Sequence, residues 1–193
     1  MTHDTCWSSR FAVLVLAGVF LGCGPSWKVI RASGPPSALK DASEVAVRFD
    51  YSGMVVEGMS ENEWVSRKTS EDPKYPATWA DLKGRLEAAM LEGLRDKVPA
   101  AQLLGPTVAP SAVVLTVQVH GFRLGKFIPV VLPPTVVQAG LVWQVGGQVA
   151  DEISVERSYP SSIIAPSVFN HITPVGRSIG AAAGAFLVSK RGG

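Results

Sequence analysis

Cysteine and histidine are almost missing from this chain, which has 2 and 3 of them in 193 residues. Two thiols, Cys6 and Cys23, supply neither a disulfide framework nor a metal site built on cysteine pairs. The histidines are His3, His120 and His171, and no His-x-x-x-His pair is present to seat a metal. An excess of one charge is missing too. Lys plus Arg total 18 and Asp plus Glu 16, for a formal net charge of +2. A nucleic-acid binder usually carries a basic stripe, so that class is excluded. The polarity of a disordered chain is also lacking, since 47% of residues are hydrophobic.

Catalytic constellations are lacking as well. There is no Walker or dinucleotide glycine loop. Gly176-Arg177-Ser178-Ile179-Gly180 has the spacing of a serine nucleophile elbow. However, no apolar strand leads into it and Pro174 stands just upstream, so Ser178 reads as a residue near a helix N-cap. Asp151 and Glu152 are neighbours on an expected strand and point to opposite faces, so they cannot share one site. Glu57, Glu61 and Glu63 fall in a polar stretch that reads as a solvated loop. The expectation is a protein without catalysis, cofactor or metal.

What is present begins at the N-terminus. Residues 1–10 are polar and contain Arg10, and residues 11–22 carry no charge. A basic start followed by about 7–15 apolar residues is the pattern of a secretory signal. The run is too short for a spanning helix, which needs about 20 residues. The stretch Phe20-Leu21-Gly22-Cys23 that ends it resembles the lipobox of bacterial lipoproteins, with Phe20 departing from the usual Leu, Val or Ile. The resemblance implies removal of 1–22, a diacylglycerol on Cys23, and attachment to a membrane through acyl chains. Gly24 after the cysteine implies the outer membrane, facing the periplasm. Two or three chains on one sulfur hold stably where a single chain holds only marginally. Residues 24–39 are rich in Gly, Pro and Ser, which predicts a flexible tether over 23–40 that lets the folded body stand off the bilayer.

Residues 41–190 read as one α/β domain. Val45, Val47 and Phe49 alternate with polar neighbours and predict a strand over 44–50. Residues 54–57 continue that strand or pair back as a hairpin. Residues 58–76 read as a long loop with one helical turn at 60–65. Trp79, Leu82, Leu86, Met90, Leu94 and Val98 form one apolar stripe, which predicts an amphipathic helix over 79–98. Thr78 and Asp81 would form its N-terminal cap, and Pro99 would stop it. Strands follow at 113–120, 137–145 and 148–157, the last two joined by a Gly146-Gly147 turn. Residues 160–174 read as irregular, and a Gly/Ala-rich helix closes the chain over 175–190. This layout predicts an α+β two-layer sandwich: a mostly antiparallel sheet with the 79–98 helix packed on it, and the C-terminal helix.

The layout, with the phrase Val56-Glu57-Gly58-Met59-Ser60-Glu61 before the helix, also resembles a loose group of small bacterial envelope lipoproteins with a β-α-β-β body. The resemblance implies an accessory part of an envelope transport or assembly complex that binds another envelope protein. The alternative is a periplasmic module that binds a small ligand between sheet and helix. Two apolar features are candidate partner contacts. One is the proline-rich link carrying Phe127, Ile128, Val130, Val131 and Leu132. The other is the small-residue face of Gly180 and Gly184, where another backbone can approach closely. Replacing Cys23 with Ser is expected to move the protein from the membrane fraction to the soluble fraction. Unchanged retention after fractionation would contradict the anchor.

Overall fold

The computed structural model describes residues 27–34, 36–105, 113–125, 133–161 and 167–191. Among these residues the chain forms an α+β two-layer sandwich with a mixed, mostly antiparallel sheet. The strands are β1 (Lys28–Arg31), β2 (Val45–Asp50), β3 (Val55–Val56), β4 (Met59–Ser60), β5 (Ala101–Leu103), β6 (Val113–Arg123), β7 (Thr135–Val145) and β8 (Gln148–Tyr159). The helices are α1 (Glu61–Glu71), α2 (Tyr75–Arg95) and α3 (Val168–Arg191). The sheet order is β1-β8-β7-β6-β2-β5. β6, β7 and β8 form an antiparallel meander, and β2 lies parallel to both β6 and β5.

Alternation in the strands decides which face is covered. Val45 and Val47 of β2, Leu115 and Val117 of β6, Leu141 and Trp143 of β7, and Ile153 of β8 are all buried. Several of them meet α2 and α3, where Val47, Leu115 and Val117 surround Met90, Leu94 and Ala183. Phe186 stacks on Trp143 with ring centres 6.3 Å apart. The expected hairpin turn is in place, with φ of 57° at Gly146 and 78° at Gly147, a geometry glycine adopts without strain.

The stripe from Trp79 to Val98 is buried throughout. Its helix starts earlier than the spacing predicts, however. Pro76 occupies the first turn of α2, where its missing N–H costs nothing, and Lys74 stands at the N-cap. Thr78 is therefore inside the helix, and Asp81 pairs with Arg85 one turn on, at 2.9 Å. The loop expected over 58–76 is instead mostly α1. Ser60 and Glu63 form a capping box, in which the Glu63 N–H donates to Ser60 Oγ at 3.3 Å and the Ser60 N–H to Glu63 Oε2 at 3.0 Å.

The flexible tether expected over 23–40 is also corrected. Lys28–Arg31 pair antiparallel with β8, Leu39 is fully buried, and Trp27 meets Phe186 edge-on at 5.9 Å. The Gly, Pro and Ser residues that gave the segment its loose composition flank this strand in the sequence, at 24–26 and 33–37. Asp151 supplies the physical reason for docking. It is wholly buried and accepts from the Ser33 N–H at 3.1 Å and the Ser33 hydroxyl at 2.7 Å, and it pairs with Lys190 at 3.0 Å. A buried carboxylate without such partners would be strongly unfavourable.

α3 begins at Val168 rather than 175, with Pro174 inside it, because Ile172 already belongs to its buried face. By length and composition it could cross a membrane, but 56% of its apolar window is buried inside the domain, as in a core helix. α2 and α3 run in the same direction at very close range, and glycine permits this. A Cβ on Gly93 would overlap the Arg177 carbonyl, and one on Gly180 would overlap the Met90 carbonyl. Gly180→Ala is therefore expected to destabilise the domain by roughly 3 kcal/mol, the upper end for overpacking. Gly84, on α2, has open space around it. Gly84→Ala should stabilise by about 0.5–1 kcal/mol through helix propensity. Urea unfolding midpoints of the two variants check both signs.

Candidate binding groove

An apolar groove of about 250 Å³ opens where α1, α2, the end of β6 and the start of α3 meet. α1 contributes Trp64 and Lys68, one turn apart and so on one face of the helix. α2 contributes Tyr75, Thr78, Trp79 and Leu82, with the spacing of a single helical stripe. Leu124 and Gly125 close one side, and Val168 and Phe169 another.

The indole N–H groups of these side chains have partners within the domain. Trp64 Nε1 donates to the Tyr75 hydroxyl at 2.8 Å. Trp79 Nε1 donates to Glu61 Oε1 at 2.6 Å, and Lys83 Nζ reaches the same oxygen at 2.7 Å. Burial holds the Tyr75 phenol above its ordinary pKa, so it stays a neutral hydroxyl. Tyr75 and Trp79 stack nearly parallel, with ring centres 6.4 Å apart. Lys68 pairs with Glu71 at 2.6 Å and also lies 5.4 Å from the Trp64 ring centre. The groove therefore offers aromatic and aliphatic faces, which suit an apolar guest.

One wall of the groove is fixed by a small polar network. The Gly125 N–H donates to Thr135 Oγ1 at 3.0 Å, and the same oxygen is 2.9 Å from His171 Nδ1. Thr135 and His171 are both fully buried. A Cβ on Gly125 would lie 2.7 Å from Thr135 Oγ1, so only glycine fits at that corner.

A second cavity, about 310 Å³ and more polar, lies at the far side of the sheet. It forms at a bulge, where β6 gains His120 relative to β7 between the pairs Val119–Ala139 and Gly121–Gln138. Glu57 borders it at φ 50°, in the turn between β3 and β4. Its carboxylate accepts from the Leu124 N–H at 2.6 Å, so that group serves to hold the turn onto β6. His120 lies on the open face over Gly140, whereas His171 is on the buried face of α3, so the structure does not bring the two together.

The residues singled out in the sequence fall as follows. Cys23 lies outside the described residues, as do Phe127, Ile128, Val130, Val131 and Leu132. The link that carries them leaves the described chain at Gly125, on the rim of the groove. Gly180 and Gly184 are described and buried, with their small faces turned to α2: Gly180 meets Met90 and Leu94, and Gly184 meets Lys97. As partner contacts they are corrected, because this chain's own helix fills the space a missing side chain leaves. Ser178 sits inside α3, where its hydroxyl accepts from Arg157 Nε at 3.0 Å, and it is not at an N-cap. Glu57, Glu61 and Glu63 do not converge, since each is committed to a different hydrogen bond.

Sequence reasoning missed Trp64, Tyr75 and Phe169, all in stretches read as loop. Ser60-x-x-Glu63 was the available signal for the first of them.

No protein-family model matches the chain, and no curated protein matches it. Solved structures give only a distant likeness. The PelC dodecamer from Paraburkholderia phytofirmans aligns with a TM-score of 0.45 and 15% identity, over 80% of this chain and 97% of that one. A point variant of that dodecamer aligns at 0.42 and 17%, over 86% and 96%. No statement about function follows from a likeness at this level.

Tyr75→Phe should leave the Trp64 indole N–H buried without its acceptor, at a cost of about 1–3 kcal/mol. Chemical denaturation compared with the parent protein checks this.

Proposed function

We propose that this chain is a lipid-anchored cell-envelope protein, held through Cys23 in the outer membrane and facing the periplasm. It acts by binding, as an accessory component of an envelope transport or assembly complex, and it is not a catalyst. The observation that supports binding is the aromatic groove, whose two indole N–H groups already have acceptors within the domain. An apolar guest entering it would leave neither indole N–H stranded.

Its size favours one kind of guest. At about 250 Å³ it lies just below the range of about 300–1,000 Å³ common for small-molecule sites. That volume suits one or two apolar side chains presented by a partner protein, in the manner of an interface anchor. The lipid would confine the domain to a surface and raise its effective concentration near such a partner. The second reading, a small apolar ligand, rests on the same groove and is told apart by what is captured there.

A photo-reactive amino acid at Thr78, half-buried on the groove wall, provides the test in intact cells. The expected product is one discrete protein adduct that disappears when Trp79→Ala removes the stacked wall. An adduct whose added mass is that of a small molecule would favour the second reading. No adduct at Thr78 would count against both.

A further inference from the structure

We propose that the β1 edge of the sheet lies directly against the phospholipid leaflet, with Val29 and Ile30 at the lipid surface. This rests on the lipid-anchor reading and adds the orientation of the domain.

Chain length limits how far the anchor can lie from the domain. Trp27 follows Cys23 by four residue steps, and a chain advances at most about 3.6 Å per residue. Whatever those residues do, a lipid-bearing Cys23 lies within about 14 Å of Trp27. No slack follows Trp27. From Trp27 the chain is bound to the body by the β1–β8 pairing, by Trp27 against Phe186, and by Ser33 on Asp151. The domain therefore cannot stand off on a long tether, and the edge next to the anchor must meet the membrane.

The chemistry of that edge fits a membrane surface. Val29 and Ile30, at a register shift in the β1–β8 ladder, are 49% and 52% exposed, which is unusual for adjacent aliphatic residues on a strand whose other side is unpaired among the described residues. Exposed Lys28 and Arg31 flank them. The facing acidic group is Glu152, opposite Arg31, while Lys190 is committed to Asp151. Aliphatic side chains bracketed by two cations match the boundary between acyl chains and headgroup phosphates. The opposite edge provides an internal control. β5 is five strand spacings away, about 24 Å at 4.8 Å per spacing, and carries Leu103 at 53% exposure.

Acylation of Cys23 and loss of Cys6 with the signal would leave no free thiol, so single-cysteine labelling is clean. Ile30→Cys and Leu103→Cys variants of the full, lipidated protein would be labelled with a fluorophore. They would then be reconstituted in phosphatidylethanolamine–phosphatidylglycerol vesicles containing a spin-labelled lipid. The expected result is strong quenching of the probe at residue 30 and little at residue 103. Mass spectrometry of the N-terminus on the same samples separates the two ways to fail. Equal quenching at both positions with acylated Cys23 overturns the orientation and leaves the anchor standing. An unmodified Cys23 removes both. Efficient crosslinking of two Ile30→Cys chains to each other would also overturn the proposal, by assigning the edge to a second copy.

Discussion

The contact between α2 and α3 is the constraint on which the rest of the domain depends. Two helices that lie on one sheet face usually keep about 8–10 Å between their axes because side chains stand between them. Here Gly93, Gly176 and Gly180 remove those side chains, and backbone meets backbone. The helices then share the buried face of β2, β6 and β7, and both Trp143 and Leu86 are closed off from water. The groove follows from the same contact. Trp79 comes from α2 and Phe169 from α3, so their separation is set by how closely those two helices run. The ion pairs of Arg177 with Glu92 and Asp96 lie across the same seam but are about half exposed. Pairs of that kind contribute little, and steric fit dominates.

Much of the sheet was legible because its periodicity is local. Val113, Leu115 and Val117 announce β6 without any knowledge of what they touch, and Gly146-Gly147 announces the turn that follows β7. The apolar stripe of α2 reads in the same way. What could not be read depends on partners distant in sequence. Lys28–Arg31 becomes a strand because β8 offers it an edge, and composition alone gave a linker. Ala101–Leu103 is a strand because β2 lies parallel beside it. α1 was hidden for a different reason. Its surface is polar and Trp64 is its sole buried residue, so no stripe marks it, and its capping box was the remaining clue. Gly180 and Gly184 show a limit of another sort. Small residues at helical spacing announce a close approach, but they do not say whether the visitor is foreign or belongs to the same chain.

The two faces of the sheet differ in chemistry. The helix face is filled with aliphatic and aromatic side chains. The other face carries short polar links, such as Arg48 to Thr116 at 2.7 Å and Gln138 to Glu156 at 2.6 Å. Those groups are satisfied across neighbouring strands, which lets the sheet stand with one side in water. Of the buried polar groups, Asp151 has the widest structural reach. It joins the first strand, the last strand and the final turn of α3 through one carboxylate, and each partner supplies either a proton donor or a charge.

That junction orders events in time. Ser33 and Asp151 stand 118 residues apart, so β1 has nothing to pair with until β8 has been made. A nascent or truncated product ending before the final hairpin leaves its first segment unattached, however well its middle portion has condensed. Seating of β1 thus acts as a completion mark for the sheet, reached only when β8 arrives.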